Sequence, residues 1–397
     1  MNIALTKKGN VLGATLLVTG CCIGAGMIGL PVSSAAAGFF PFMFAMIVSY
    51  LFTTGTGLLL LEATLWFEQK VNLLSIAQFA LGNTGRVIAG GLFLFLFYSI
   101  LIAYMDGGAQ LFSAFSQAVF HYPMPRTVGI LTCVVFVGAV IYVSTALVVK
   151  INRILMIGLI ASYLAVVIVG LPKVNLDHLI HTNWTASLAT LPILFICFGY
   201  QNLVPSLTYY LKKNVQILRF AIIIGNLLPL FFYLIWNFVI LGMLPTGSSL
   251  QIGNEDMVSG LLQKTTQSSS VLFFVQLFSF FALTTSFLAI GISFVDFFKD
   301  GLKVSSLGKT QYEFLIYGLV VGPPMLFCVF YPNIFLQALE FAGGFVDVIL
   351  FGILPVFIVW KGRYSKKVEG SYRVAGGKIF LGSMLLISLI FLLLRLL

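Results

Sequence analysis

Apolar stretches long enough to cross a bilayer follow one another along almost the whole of this chain. They lie near residues 11–38, 42–66, 87–116, 128–148, 151–172, 190–210, 217–244, 271–298, 312–331, 334–360 and 379–395. A helix needs about 20 apolar residues to cross the hydrocarbon, so these eleven segments predict an all-α polytopic membrane protein. A transmembrane barrel would instead show short segments of alternating polarity. With 60% hydrophobic and 9% charged residues and a mean hydropathy of +1.07, the chain cannot cover a soluble surface with charge. The joins between the fourth and fifth spans and between the ninth and tenth are the least marked. Tyr331-Pro332-Asn333 punctuates the latter. Lys7 and Lys8 ahead of the first span give it the look of a signal peptide. Its glycines, its length and the lack of a cleavage motif favour a retained helix.

The net charge of +10 reads as a topology signal rather than an affinity for nucleic acid. An N-terminus in the cytoplasm places 18 of the 22 basic residues inside, leaving Arg126, Lys173, Lys264 and Arg395 outside. Eleven spans then put the C-terminus on the periplasmic side. The outside loops 173–189 and 245–270 are polar and long enough to cover a vestibule, and equally suited to being plain solvated connections. Cys21, Cys22, Cys133, Cys197 and Cys328 all fall in apolar spans, without disulfide or metal-ligand spacing. His121, His178 and His181 fall in outside loops and form no relay. No phosphate-binding loop points to ATP-driven transport.

Two spans are interrupted near their middles. The first carries Ile23-Gly24-Ala25-Gly26-Met27-Ile28-Gly29-Leu30-Pro31, and the sixth carries Phe198-Gly199-Tyr200-Gln201-Asn202-Leu203-Val204-Pro205. Gly24 precedes Pro31 by seven residues and Gly199 precedes Pro205 by six, the two segments being offset by roughly 175 residues. Spans one to five (residues 11–172) and six to ten (residues 190–360) therefore read as inverted copies within a single transporter domain, with residues 379–397 adding an eleventh helix. Matching broken spans are a pointer to a solute site in secondary transporters. Opening a helix in a dry setting frees amides and carbonyls that ligand, protein or cavity water must satisfy. Amides starting a half-helix suit a carboxylate, and carbonyls ending one suit an ammonium. A zwitterionic amino acid supplies both. The candidate substrate residues are Gly24, Ala25, Gly26, Phe198, Gly199, Tyr200, Gln201 and Asn202, with Tyr104 and Tyr98 of the third span. Tyr200 and Gln201 are placed to bracket an aromatic ring and bond its hydroxyl. Close packing of small residues is the alternative for Gly24–Gly29.

Ionisable groups inside a span are expensive unless they pair, hydrate or take a proton. Asp106 in the third span is the first coupling candidate, since that span holds no base beside it. Its alternative role is to hold a freed backbone amide. Asp347 in Gly343-Gly344-Phe345-Val346-Asp347 is the second candidate. Glu62 and Asp296 lie near cytoplasmic ends and suit gates or pairs with loop bases. Thr284-Thr285-Ser286 in the eighth span suits Na⁺ coordination with carbonyls of the first broken helix, or capping of local carbonyls.

The run Gly20–Pro31 resembles the hydroxy and aromatic amino acid permeases. Phe198-Gly199-Tyr200-Gln201 with Val204-Pro205-Ser206 resembles that family's sixth-span motif, and Thr285-Ser286-Phe287-Leu288 and Tyr372-Arg373-Val374 add matching positions. The resemblance covers essentially the whole chain. It implies a five-plus-five inverted-repeat amino acid transporter fold, LeuT-like, with an extra eleventh span, and H⁺-driven import across the bacterial inner membrane rather than enzymatic chemistry. Gly24 and Gly26 would give main-chain substrate contacts, and Phe198, Gly199 and Tyr200 the complementary break. Some aromatic permeases carry Phe-His where this chain has Tyr200-Gln201, which leaves no histidine there for coupling or selectivity. The expected substrate is L-tyrosine, with tryptophan or phenylalanine next. Sodium coupling and a non-transporting sensor are the alternatives. The implied partners are the amino acid and membrane lipid, with no nucleic acid, no obligate protein partner, no metal and no cofactor beyond H⁺ as coupling ion.

Overall fold

The computed structural model describes residues 11–143, 145–245, 257–265, 268–301 and 309–396. Every regular element among them is helical. Among the described residues nine helices are long and apolar enough to cross a membrane, and the bent pair α1 (Val11–Cys22) and α2 (Gly26–Ser34), taken as one span, makes a tenth. Helix α5 (Arg126–Val143) occupies the remaining, fourth position in the sequence-based map. The second span is α3 (Phe39–Leu65), entered through Gly38 at φ 83°, a left-handed turn that glycine tolerates.

The third span starts earlier than its hydropathy suggests. Helix α4 runs Leu73–Phe120, with Asn72 capping it by accepting from the Ser75 amide at 2.9 Å. Gly82, at φ 75° and ψ −165°, kinks it, so a half-exposed first segment bearing Gln78 precedes the membrane-length part. Polar residues in that segment hid it from a hydropathy reading. After α6 (Thr145–Gly170), the short α7 (Trp184–Ser187) leads into the sixth span, made of α8 (Leu191–Cys197) and α9 (Val204–Tyr210). Pro192 and Pro205 each fall in the first turn of their half-helix, where a missing N–H costs nothing. Pro205 therefore starts α9 rather than breaking it, and the interruption is residues 198–203.

The chain continues through α10 (Val215–Met243), α11 (Val258–Thr265), α12 (Ser269–Gly301) and α13 (Lys309–Phe330). Span ten is composite: α14 (Phe335–Phe341), a π-helical stretch Ala342–Ile353, then α15 (Leu354–Trp360). Helix α16 (Gly377–Leu396) is the eleventh span.

The spans sort into two packed groups. Helix α1 lies along α10, α10 along α3, and α3 along α8 and α9; separately, α4 lies along α5, α12 and α13. Each group draws on both halves of the chain. The connections also sort into two faces. On one, Lys213 reaches the Glu68 carbonyl, Lys366 the Phe79 carbonyl, and Arg219 lies over the Tyr372 ring. On the other, Asn183 N–H donates to the Ala37 carbonyl, Asn175 N–H to the Gly242 carbonyl, and Arg126 to the Tyr331 carbonyl. Both polar loops, 173–189 and 245–270, are partly folded: the first holds short helical turns and α7, and in the second α11 packs on α2 and α12 with Val258, Leu261 and Leu262 buried. Residues 246–256 of the second loop lie outside the described residues.

Candidate functional site

Helices α1 and α8 both end at mid-span, at Cys22 and Cys197. One hydroxyl joins these ends. Tyr233 of α10 lies 2.7 Å from the Cys22 carbonyl and 2.9 Å from the Cys197 carbonyl, donating between them. Tyr233 was not among the residues singled out by sequence. Neither was Asn226, whose amide donates to the Thr53 and Thr54 hydroxyls at 3.0 Å each. Both occupy the seventh span, whose polar side chains lack a glycine–proline signature to mark them.

In the first break, Met27 and Ile28 amides donate to Gly24 and Ala25 carbonyls at 3.1 Å, a tight turn before α2 proceeds. The bend across it is 54°. The Ala25 amide donates to Ser286 Oγ of α12 at 3.1 Å, and Tyr104 of α4 lies beside Ser286. Gly24 is needed for this approach: a Cβ there would lie 2.5 Å from Ser286 Oγ. A Cβ on Gly26 would lie 2.7 Å from Cys197 Sγ, so that glycine lets the two breaks touch.

The second break divides its residues between roles. Phe198 is fully buried and meets the Tyr233 ring edge-on, with centroids 5.4 Å apart. Gly199 faces both Cys21, whose thiol lies 3.6 Å from its carbonyl, and Asp347, whose Oδ2 lies 3.3 Å from where a Cβ would stand. Asn202 is exposed and lies 3.9 Å from Cys21 Sγ. Tyr200 does not bracket a ring. It is fully buried against Gly57 of α3, and its hydroxyl donates to the Thr53 carbonyl at 3.1 Å. Gln201 is buried, and its Oε1 lacks a hydrogen-bond partner.

The acids part company. Asp106 is fully buried and saturated: Oδ2 accepts from Gln110 at 2.9 Å and from the Ile334 and Phe335 amides at 2.9 and 3.1 Å, while Oδ1 pairs with Arg126. The span-by-span reading missed that base because it enters from α5. Asp106 thus holds the backbone at the start of span ten. Glu62 pairs with Arg363 at 2.6 Å and also accepts from the Val374 amide at 2.7 Å, tying α3 to the end of span ten and to the Tyr372-Arg373-Val374 segment. Asp347 lies between these clamps on the π-helical stretch; it is buried and its Oδ1 has no partner. Thr284 and Thr285 donate to the Phe280 and Ala282 carbonyls of their own helix at 2.7 and 3.1 Å. Of the three hydroxyl residues, Ser286 is the one that reaches the first span.

A cavity of about 400 Å³ opens beside this junction. Tyr104, Phe112 and Cys133 line one side; Leu277, Phe280, Thr284 and Phe287 line the other. The wall is almost wholly apolar, in the size range of small-molecule sites.

Paired half-helices meeting at mid-span, with backbone groups at the junction and an aromatic cavity next to it, define a broken-helix membrane transporter. The solved structure of MhsT in complex with L-phenylalanine is similar in fold, with a TM-score of 0.70 at 15% identity, covering 97% of this chain and 98% of that one. That likeness gives a LeuT-like fold. Over residues 7–395 the sequence matches the tryptophan/tyrosine permease family. Two Haemophilus influenzae proteins are similar along nearly their whole lengths: tyrosine-specific transport system 1, 34% identical over 93% of this chain and 92% of the relative, and tyrosine-specific transport system 2, 30% identical over 97% and 96%. The chain belongs to the tryptophan/tyrosine permease family: it is a multi-pass amino acid permease of the bacterial inner membrane, not an enzyme.

Proposed function

We propose that this protein imports an aromatic amino acid, L-tyrosine first, together with a proton, by alternating access at the paired breaks. The observation that carries the reading is the aromatic-lined cavity of about 400 Å³ reaching Tyr104 and Thr284, next to the Ser286–Ala25 junction. In this reading the ring occupies the cavity between α4, α5 and α12, and the ammonium and carboxylate reach past Tyr104 and Ser286 toward the half-helix ends. The names of the Haemophilus influenzae relatives favour tyrosine, and the phenylalanine complex of MhsT favours an aromatic side chain. Proton coupling is taken from the family resemblance, with sodium as the alternative that the test below separates.

The face carrying Lys212, Lys213, Lys366 and Lys367 is taken as cytoplasmic, with the N-terminus on that side and the C-terminus periplasmic. Residues 11–172 and 190–360 are the inverted repeats. Gly20, Cys21, Asn202 and Ser206 are exposed along the inner halves, whereas α2 is buried from Met27 to Val32.

The test is uptake by purified protein in sealed liposomes, with labelled Tyr, Trp, Phe, Ser and Leu and separately imposed H⁺ and Na⁺ gradients. Concentrative, Na⁺-independent uptake of tyrosine under an inward H⁺ gradient is expected. Failure to concentrate any aromatic amino acid would remove the substrate assignment; dependence on Na⁺ at fixed pH would remove the proton.

A further inference from the structure

We propose that Asp347 is the carboxyl that carries the coupling proton, loaded and unloaded at the break of the sixth span. This rests on the proton-symport reading above.

Three observations converge on it. Asp347 is 5% exposed and its Oδ1 has no hydrogen-bond partner, a costly arrangement for a bare carboxylate in a dry protein. It stands on a π-helical stretch, a distortion often found at functional sites, and its Oδ2 lies 3.3 Å from the position of a Cβ on Gly199. It also borders the open side of the site: Cys21 lies beside it, and Gly20, Cys21 and Asn202 are exposed. An added Cβ on Gly20 would meet nothing within 4 Å. The carboxyl thus stands within a side chain of the exposed positions of the two breaks.

The surrounding titratable groups leave the role to Asp347. On α1, Cys21 faces it. On α8, Cys197 is turned to Gly26. On α3, Glu62 is paired with Arg363 and Tyr50 packs on Phe198. On α4, Asp106 is paired with Arg126, Tyr98 donates to the Leu319 carbonyl and Tyr104 lies at Ser286. Glu340 is on α14, one helical segment away, and Lys378 at the start of α16 lies over the Tyr364 ring.

The step is a plain protonation. An O–H bond forms on Oδ1 with a proton from water on one side and breaks to water on the other; no bond of the substrate changes. Closing the site over a neutral acid costs far less than closing it over a charge, so the loaded, protonated carrier is the one that reorients.

The test uses the purified full chain in sealed liposomes, with labelled tyrosine as the probe. Asp347→Asn is expected to lose pH-gradient-driven accumulation by about tenfold or more while gradient-free exchange stays within about threefold. Asp347→Glu is expected to restore accumulation with a displaced pH midpoint. Accumulation by Asp347→Asn at the wild-type level would overturn the assignment. So would loss of exchange by a folded Asp347→Asn protein, which would mark a group that binds the substrate ammonium or holds the fold. If Asp347→Asn is not recovered folded, Asp347→Glu decides, and an unmoved midpoint overturns the proposal. Wild-type protein that ignores the pH gradient would instead sink the proton reading itself, and this assignment with it.

Discussion

Asp106 and Asp347 are carboxylates of the same charge and similar burial, both at span ten, and the protein treats them in opposite ways. Asp106 reaches span ten from α4 and meets a guanidinium, an amide side chain and two backbone N–H groups. Asp347 belongs to span ten itself and keeps one oxygen without a partner. A carboxylate whose oxygens are filled by a guanidinium, a side-chain amide and two backbone N–H groups does geometric work. A carboxylate with room for a proton and water nearby is chemically open. Under the proposed assignment, it is the completeness of the partner set, and not depth in the membrane, that separates the two acids.

The contrast is easiest to break at its saturated end. Asp106→Asn leaves Arg126 without its counter-charge and weakens the start of span ten. Arg126 is partly exposed, so the loss is expected below the cost of about 3–5 kcal/mol for a fully buried pair, yet large enough to lower folded protein, and exchange along with accumulation. Recovery on size-exclusion chromatography reads this directly. A well-folded Asp106→Asn protein that lost only proton-driven uptake would exchange the roles given to the two acids.

Next in size are the break glycines. Gly26→Val puts a branched side chain where a Cβ alone would come within 2.7 Å of Cys197 Sγ, and Gly24→Val does the same within 2.5 Å of Ser286 Oγ. Both variants are expected in the membrane, with uptake reduced by about 100-fold or more. Near-normal tyrosine binding and uptake in both would move the substrate away from the breaks. Smaller still is Tyr233→Phe, which keeps the ring against Phe198 and removes the hydroxyl between two carbonyls. Each such bond is worth about 1 kcal/mol, which converts to a several-fold fall in exchange rate. An unchanged rate would make that hydroxyl dispensable. Thr284→Ala should be smallest, within about twofold, because that hydroxyl bonds its own helix. A large loss reversed by high Na⁺ would restore the threonines as cation ligands.

The spans, their order and both interruptions were legible because apolar length and glycine are read residue by residue. Less legible were features that depend on neighbours in space. Arg126 looked like a loop base until α5 brought it to Asp106. Tyr200 looked like part of an aromatic clamp until Gly57 opened a slot for its ring in α3. Tyr233 carries no local signature, since a tyrosine in an apolar helix is unremarkable without the two carbonyls it meets. The π-helical winding around Asp347 is likewise set by tertiary packing, with Gly343 close against the Pro192 carbonyl, and no hydropathy pattern announces it.

Tyr233 has one further consequence. Its hydroxyl has a single proton and stands between two acceptors, the Cys22 and Cys197 carbonyls. These end half-helices of different spans. One phenol proton cannot serve both half-helix ends at once, so the carbonyl it does not reach keeps its lone pairs open within the junction of the two broken spans.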